Sequence, residues 1–478
     1  MNLQKKFILL IIVLISIFSL CLGIFLENLF VGFIPIAILG FIYLLSDRKK
    51  FATTLIISTA ISIPLSYFIV LDFDFFIVSE ILLVVLLFLY LIEFLRNKFP
   101  QDLLTNKISG VILAYLLWSI ITCFFSQIQL VSVKVSLVRI WFVAGFFFFP
   151  LILFSKNEFS ISRYFTIFIL GSSLVIIFAL TRHYIYGIWY KKIAYWAANP
   201  FFPDHTSYGA LLSMFIPMLG LVTFSRQFPF KHRVGFGILL LLFLTGLLFS
   251  YSRAAWLSVI GAFIFYLFLK LSPKLKIVSI FSLISIFLLV YVNYEVFHFF
   301  EKNQTTSSTE LESHIKSATN ISNDISNLER INRWKAALRM FAERPIFGFG
   351  PGTYMFCYAP YQMSYDRTPI STNSGDLGNA HSEYLGNLSE MGLPGMLLFV
   401  AIGIVVFIRG IKLMSKVKSE YDCVWIESAL VGLSTYFIHA FVNNFLDLDK
   451  LAFGFWGLIA VIAFYDQKIT SQTQVLKE

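Results

Sequence analysis

Residues able to do chemistry gather in a few short stretches. "GNAHSEYLGNLSEMGLPG" carries His381, Glu383 and Glu390 where a polar segment meets an apolar run. "NLERINRWKAALRMFAERP" carries Arg330, Arg333 and Arg339, and "SRAAWLS" places Arg253 at the head of another apolar run. "NPFFPDHTSYGALLSMFIPM" sets Asp204 and His205 at a third such boundary. Histidine titrates near neutral pH and suits general-base work. Arginine grips phosphate oxygens through paired hydrogen bonds. Each residue also has an ordinary reading. Arg253 suits a helix-end arginine snorkelling to headgroups, Arg330 and Arg333 solvated helix charges, His381 a polar helix start, and Asp204 or Thr206 an N-cap. His-x-Glu lacks a further ligand set, so no metal site is expected. Cys21, Cys123, Cys357 and Cys423 show no CxxC spacing, and no disulfide framework is expected.

These residues must be positioned by membrane helices. The 478 residues are 58% apolar and 13% charged, against about 25% charged in an average soluble domain. A mean hydropathy of +0.80 excludes a water-soluble globular enzyme and a disordered chain. Runs near 7–26, 29–45, 52–71, 75–95, 108–126, 133–154, 164–181, 205–224, 234–250, 254–271, 276–293, 391–409, 424–442 and 451–466 are span candidates. The first follows Lys5 and Lys6 and is read as a retained helix rather than a signal peptide. The expected fold is an all-α polytopic membrane protein of about 12–14 transmembrane helices with one large, partly helical external loop. Its parts are 1–293 and 385–478 as helical regions flanking the loop at 294–384.

Lys and Arg concentrate in alternate connections, which puts both termini in the cytoplasm and the large loop outside. The net charge of +10 is therefore mostly topology, and no nucleic acid is expected. Arg139 lies within a span, where a charge is costly. His439, Asn443, Asn444 and Asp447 cluster near an outer helix end. Within the loop, the 3, 4 and 3 spacing of Ile331, Trp334, Leu338 and Phe341 predicts one apolar helical face, with the arginines on the other side. Asn327 is the expected N-cap and Pro345 the stop. "IFGFGPGTY" is a turn-rich passage that lets backbone approach a ligand closely, although it is neither a Rossmann fingerprint nor a P-loop.

Taken in order, "SRAAWLS", then "RWKAALRMF…PIFGFGPG", then "AHSEYL…EMGLPG" resembles the O-antigen ligase and O-antigen polymerase superfamily over about 245–400. The resemblance implies transfer of a glycan from an undecaprenyl-diphosphate carrier to a lipid, glycan or protein hydroxyl, without metal or cofactor. It places the protein in the bacterial inner membrane with its active site on the periplasmic face. It maps essential arginines onto Arg253 and Arg330, with Arg333 able to exchange roles with Arg330, and the essential histidine onto His381. The family pattern has Asn after that histidine, where this chain has Ser382. Glu383 would orient the imidazole or bind a sugar hydroxyl, although neighbours at i, i+2 point apart on a helix. Asp204, His205, Arg139 and His439 are further substrate-contacting or supporting candidates. The rival reading is a polytopic transporter or flippase for a glycolipid or anionic solute. Polar chemistry concentrated at the outer rim, rather than deep in several spans, favours the enzyme.

Overall fold

A computed structural model describes residues 47–68, 76, 78–96, 100, 102–187, 189–272, 275, 325–369, 371–372 and 378–475. A bilayer offers no water to backbone groups, so a spanning chain must satisfy them internally, and helices do this within one segment. The described residues accordingly form helices, with a single bridge between Pro64 and Phe76 and no strand among them. In chain order these are α1 (Arg48–Ala60), α2 (Ser79–Leu95), α3 (Lys107–Cys123), α4 (Gln129–Ser155), α5 (Ile161–Gly187), α6 (Lys191–Ala197) and α7 (His205–Phe224). There follow α8 (Phe230–Phe249), α9 (Arg253–Lys270), α10 (Ile325–Glu343), α11 (Glu383–Met414), α12 (Glu420–His439) and α13 (Asp449–Val475). Among the described residues α4, α5, α7, α8, α9 and α11 are long and apolar enough to cross a membrane, and α3 is a shorter apolar helix. The chain is an all-α polytopic membrane protein.

Several boundaries differ from expectation. The expected spans 7–26, 29–45 and 276–293, and the loop's first part through 324, lie outside the described residues. The expected span 52–71 is instead the 13-residue α1, which stops at Ala60. Pro64 explains the stop, because it has no N–H and its ring clashes with the carbonyl four residues back, that of Ala60. The expected 391–409 span begins eight residues earlier, at Glu383, where Ser382 caps it. The short α6 was not expected at all.

The core holds much of the phenylalanine excess. Phe453 on α13 stacks on Phe168 at 4.0 Å and on Tyr164 at 4.8 Å, both on α5. Helices in a membrane gain little from hiding apolar surface, so they associate by close packing at small residues. A methyl group at Gly432 of α12 would sit 2.8 Å from the Met214 carbonyl oxygen of α7, and one at Gly454 of α13 would sit 2.6 Å from the Met214 sulfur.

One break in a helix positions the external loop. Within α11, Gly392 adopts φ 68° and ψ −172°, outside helical geometry. Pro394 has no N–H for the Glu390 carbonyl, which would otherwise be orphaned. Gly350 N–H fills that place at 2.7 Å, and Phe349 N–H bonds the Ser389 carbonyl at 3.0 Å. Leu393 N–H in turn donates to Pro345 O at 2.8 Å, and Trp118 Nε1 to Met391 O at 2.9 Å. The glycine passage thus approaches the chain's own backbone. Phe347 completes the lock by stacking on Phe125 and Trp118, with ring centroids 3.9 and 5.6 Å apart.

Candidate active site

The described part of the loop is built around α10. Ala337, Met340, Phe349, Tyr354, Tyr358 and Ala380 form a small buried cluster of their own. The predicted apolar face is only partly covered: Ile331, Trp334 and Phe341 are half-buried and Leu338 is 48% exposed. The buried side is instead Glu329, Asn332, Arg333, Ala336, Ala337 and Met340. Periodicity finds apolar stripes, and here polar residues are buried because they bond one another. Asn327, expected as the N-cap, lies inside the helix.

Arg333 is therefore not a solvated charge. Its Nε donates to Glu329 Oε1 at 2.9 Å, Nη1 to Asn379 O at 3.4 Å, and its guanidinium carbon lies 4.8 Å from the Tyr358 ring centroid. Burial alone would raise the Glu329 carboxyl, but hydrogen bonds from Ser371, Thr368 and Arg333 outweigh it and hold it below its ordinary value. Arg339 is likewise committed, to Asp366 at 2.6 Å and to the Tyr361 carbonyl at 2.9 Å.

His381 sits at the junction of this cluster with α11. Its backbone adopts φ 47°, a left-handed conformation costing about 1–3 kcal/mol in a residue with a side chain. Three contacts impose it. His381 N–H donates to Asn379 Oδ1 at 3.0 Å, Trp334 Nε1 donates to His381 O at 3.2 Å, and Ser382 is buried as the α11 cap. Burial, then the positive charges of Arg333 and Arg330, push the imidazole down to about 4, with Glu329 and Asp204 opposing. The ring is thus neutral at pH 7, the form a general base requires.

The half-buried Arg330 belongs to the same group: its charge acts on His205, His381 and His439. So does that of Asp204, which also caps α7 by accepting from Thr206 N at 2.7 Å and Ser207 N at 2.9 Å. His439 is buried at the end of α12, with Nδ1 3.5 Å from Asn443 Nδ2 and no partner for Nε2 among the described residues. Arg253 stands exposed at the first turn of α9. That turn meets the first turn of α7, since a methyl group at Gly209 would sit 2.9 Å from the Ser252 side chain. The loop arginines, the three histidines and Asp204 therefore converge at one end of the bundle, and Arg253 opens from the same end.

Two expected site residues serve elsewhere. Glu383 Oε1 accepts from Tyr436 Oη at 2.6 Å, Phe445 N at 2.9 Å and Leu446 N at 3.0 Å. It ties α11 to the end of α12, so it does not orient His381; the carboxylates acting on that imidazole are Glu329 and Asp204. Arg139 meets Glu390 at 3.7 Å and donates to the Met391 sulfur at 3.2 Å, beside the α11 break. Its placement within α4 supports the break from below.

Ser382, the departure from the family pattern, accepts from Leu385 N as an N-cap. Asparagine caps as well as serine does, whereas alanine cannot. Ser382→Asn is expected to leave thermal stability unchanged, and Ser382→Ala to cost about 1 kcal/mol in an unfolding measurement. Equal losses from both would mean that the hydroxyl serves something other than the cap.

Sequence reasoning missed Glu329, Trp334 and Asn379 as determinants of the histidine's place. Glu329 had a readable signal, its i, i+4 spacing to Arg333. Trp334 and Asn379 act through backbone groups of a left-handed turn, which residue types alone do not disclose.

No curated protein matches the chain. Residues 238–400, which carry Arg253, Arg330, Arg333, His381 and the α11 break, match the family model described as O-antigen ligase. The central segment of this helical membrane bundle, which carries its arginine- and histidine-lined end, is thus similar to the O-antigen ligase family.

Proposed function

We propose that this protein is an inverting glycosyltransferase of the bacterial inner membrane, using an undecaprenyl-diphosphate-linked glycan as donor and a hydroxyl of a lipid, glycan or protein as acceptor. The observation that carries this reading is the convergence of Arg330 and Arg333 on His381 at one end of the bundle. The acceptor oxygen attacks the anomeric carbon while His381 takes its proton. The bond from that carbon to the diphosphate oxygen breaks, and the carrier diphosphate leaves with the electron pair. A single displacement of this kind inverts the anomeric centre. Arg253 and Arg330 hold the diphosphate, and Arg333 adds positive field while tied to Glu329. Binding an anion there offsets the arginine charges that depress His381, so the donor makes its own base stronger.

The Arg139–Glu390 pair bears on the transporter reading. A buried charge in a span first suggests an ion path, but this one braces a helix break that seats the loop. The test is transfer by purified protein given lipid-linked donor and acceptor. Arg330→Ala is expected to lower kcat/KM about 10- to 100-fold, the worth of a charge-assisted hydrogen bond to phosphate, with Arg330→Lys recovering part of it. Wild-type transfer by alanine variants at both Arg253 and Arg330 would remove the diphosphate assignment.

A further inference from the structure

Far from His381, a cavity of about 820 Å³ lies between the start of α3, the end of α11 and the end of α13. Glu383 and Arg409 are 26 residues apart on α11, roughly 40 Å at ~1.5 Å per residue, so the cavity occupies the opposite end of the bundle. Its charged lining is Lys107, Arg409, Lys468 and Asp466, three cations against one carboxylate. Asp466 pairs with Arg409 at 3.4 Å, and Asp422, from outside the lining, pairs with Lys468 at 3.3 Å. Counting both acids, one positive charge remains, and Lys107 stands exposed at the first turn of α3.

Lys107 and Arg409 also border a second, apolar space of about 410 Å³, a groove between α3 and α11 walled by Val111, Val405 and Ile408. Gly110 opens its floor: a methyl group there would meet nothing within 4 Å. Because α11 crosses the membrane, this groove faces hydrocarbon while the adjoining polar cavity faces the aqueous boundary. An occupant fitting both spaces has an acidic head and a hydrocarbon tail. Basic pockets between transmembrane helices recognise such headgroups. We propose that this is a binding site for an anionic phospholipid of the membrane leaflet opposite the His381 site, its phosphate beside Lys107 and Arg409 and an acyl chain in the α3–α11 groove.

The full-length protein, delipidated in detergent, is titrated with phosphatidylglycerol or phosphatidylethanolamine, and bound lipid is counted by native mass spectrometry. Wild type is expected to retain phosphatidylglycerol at least about tenfold more strongly. Lys107→Ala removes a headgroup contact, and Gly110→Phe projects a ring into the groove from a position whose Cβ meets nothing within 4 Å; each is expected to weaken retention about fivefold or more, with elution unchanged. Equal retention of the two lipids, or of phosphatidylglycerol by wild type and both variants, overturns the proposal. Displacement of the lipid by inorganic phosphate overturns it too, by assigning the site to a free anion. Because the readout is binding, the result is independent of glycan transfer.

Discussion

Replacing His381 with alanine is expected to lower glycan transfer about 10²- to 10⁴-fold, the usual contribution of a positioned general base. The variant should elute and melt close to wild type, because the imidazole is only half-buried and the backbone contacts of Asn379 and Trp334 are kept. The pH profile separates this role from a structural one. With the imidazole held near 4, the neutral base persists as pH falls, so kcat/KM should stay flat from about pH 8 to about pH 5 and decline below. In the donor complex the diphosphate offsets the arginine field, and the inflection in kcat should lie above that in kcat/KM. An inflection of kcat/KM near the ordinary histidine value of 6.5 would contradict the assignment. The sign for stability follows from linkage. The unfolded histidine takes up its proton near 6.5 and the folded one only near 4, so stability falls as pH drops through that window.

The second large effect is expected at Gly392. Its φ of 68° disfavours any side chain, and a methyl group there would collide with the Ile346 carbonyl and sit 2.7 Å from the Pro345 oxygen. Gly392→Val therefore combines backbone strain with a steric clash, together about 2–5 kcal/mol. The clash falls on the docked loop, so transfer should be lost together with thermal stability. Gly220, where a methyl group meets nothing within 4 Å, is the control: Gly220→Ala should leave both unchanged. Survival of activity in Gly392→Val would show that docking of the loop on the α11 break is not needed for transfer.

Much of this protein is legible without coordinates because a bilayer restricts what a chain can do. Long apolar runs must become helices, and the expected runs at 205–224 and 254–271 became α7 and α9 within one residue at each end. Residue types alone left His381, Arg330 and Arg333 each with an ordinary reading, and it was the order of the motifs that set them together. Where reading failed, one determinant was local and the others were not. The α1 stop depends on a local proline and was missed because hydropathy averages over it. The buried side of α10 was missed because Glu329, Asn332 and Arg333 are polar, and only their mutual bonds make burial affordable.

Composition and apolar run length by themselves determined that the chain is a helical membrane protein, and the order of its short motifs pointed to the O-antigen ligase family. Tertiary structure alone decided that Glu383 braces α12, that Arg139 supports a helix break, and that the glycine passage serves that break. The physical reason is common to all three. A carboxylate, a guanidinium or a backbone N–H takes its function from the partner that satisfies it, and here those partners lie dozens to hundreds of residues away along the chain.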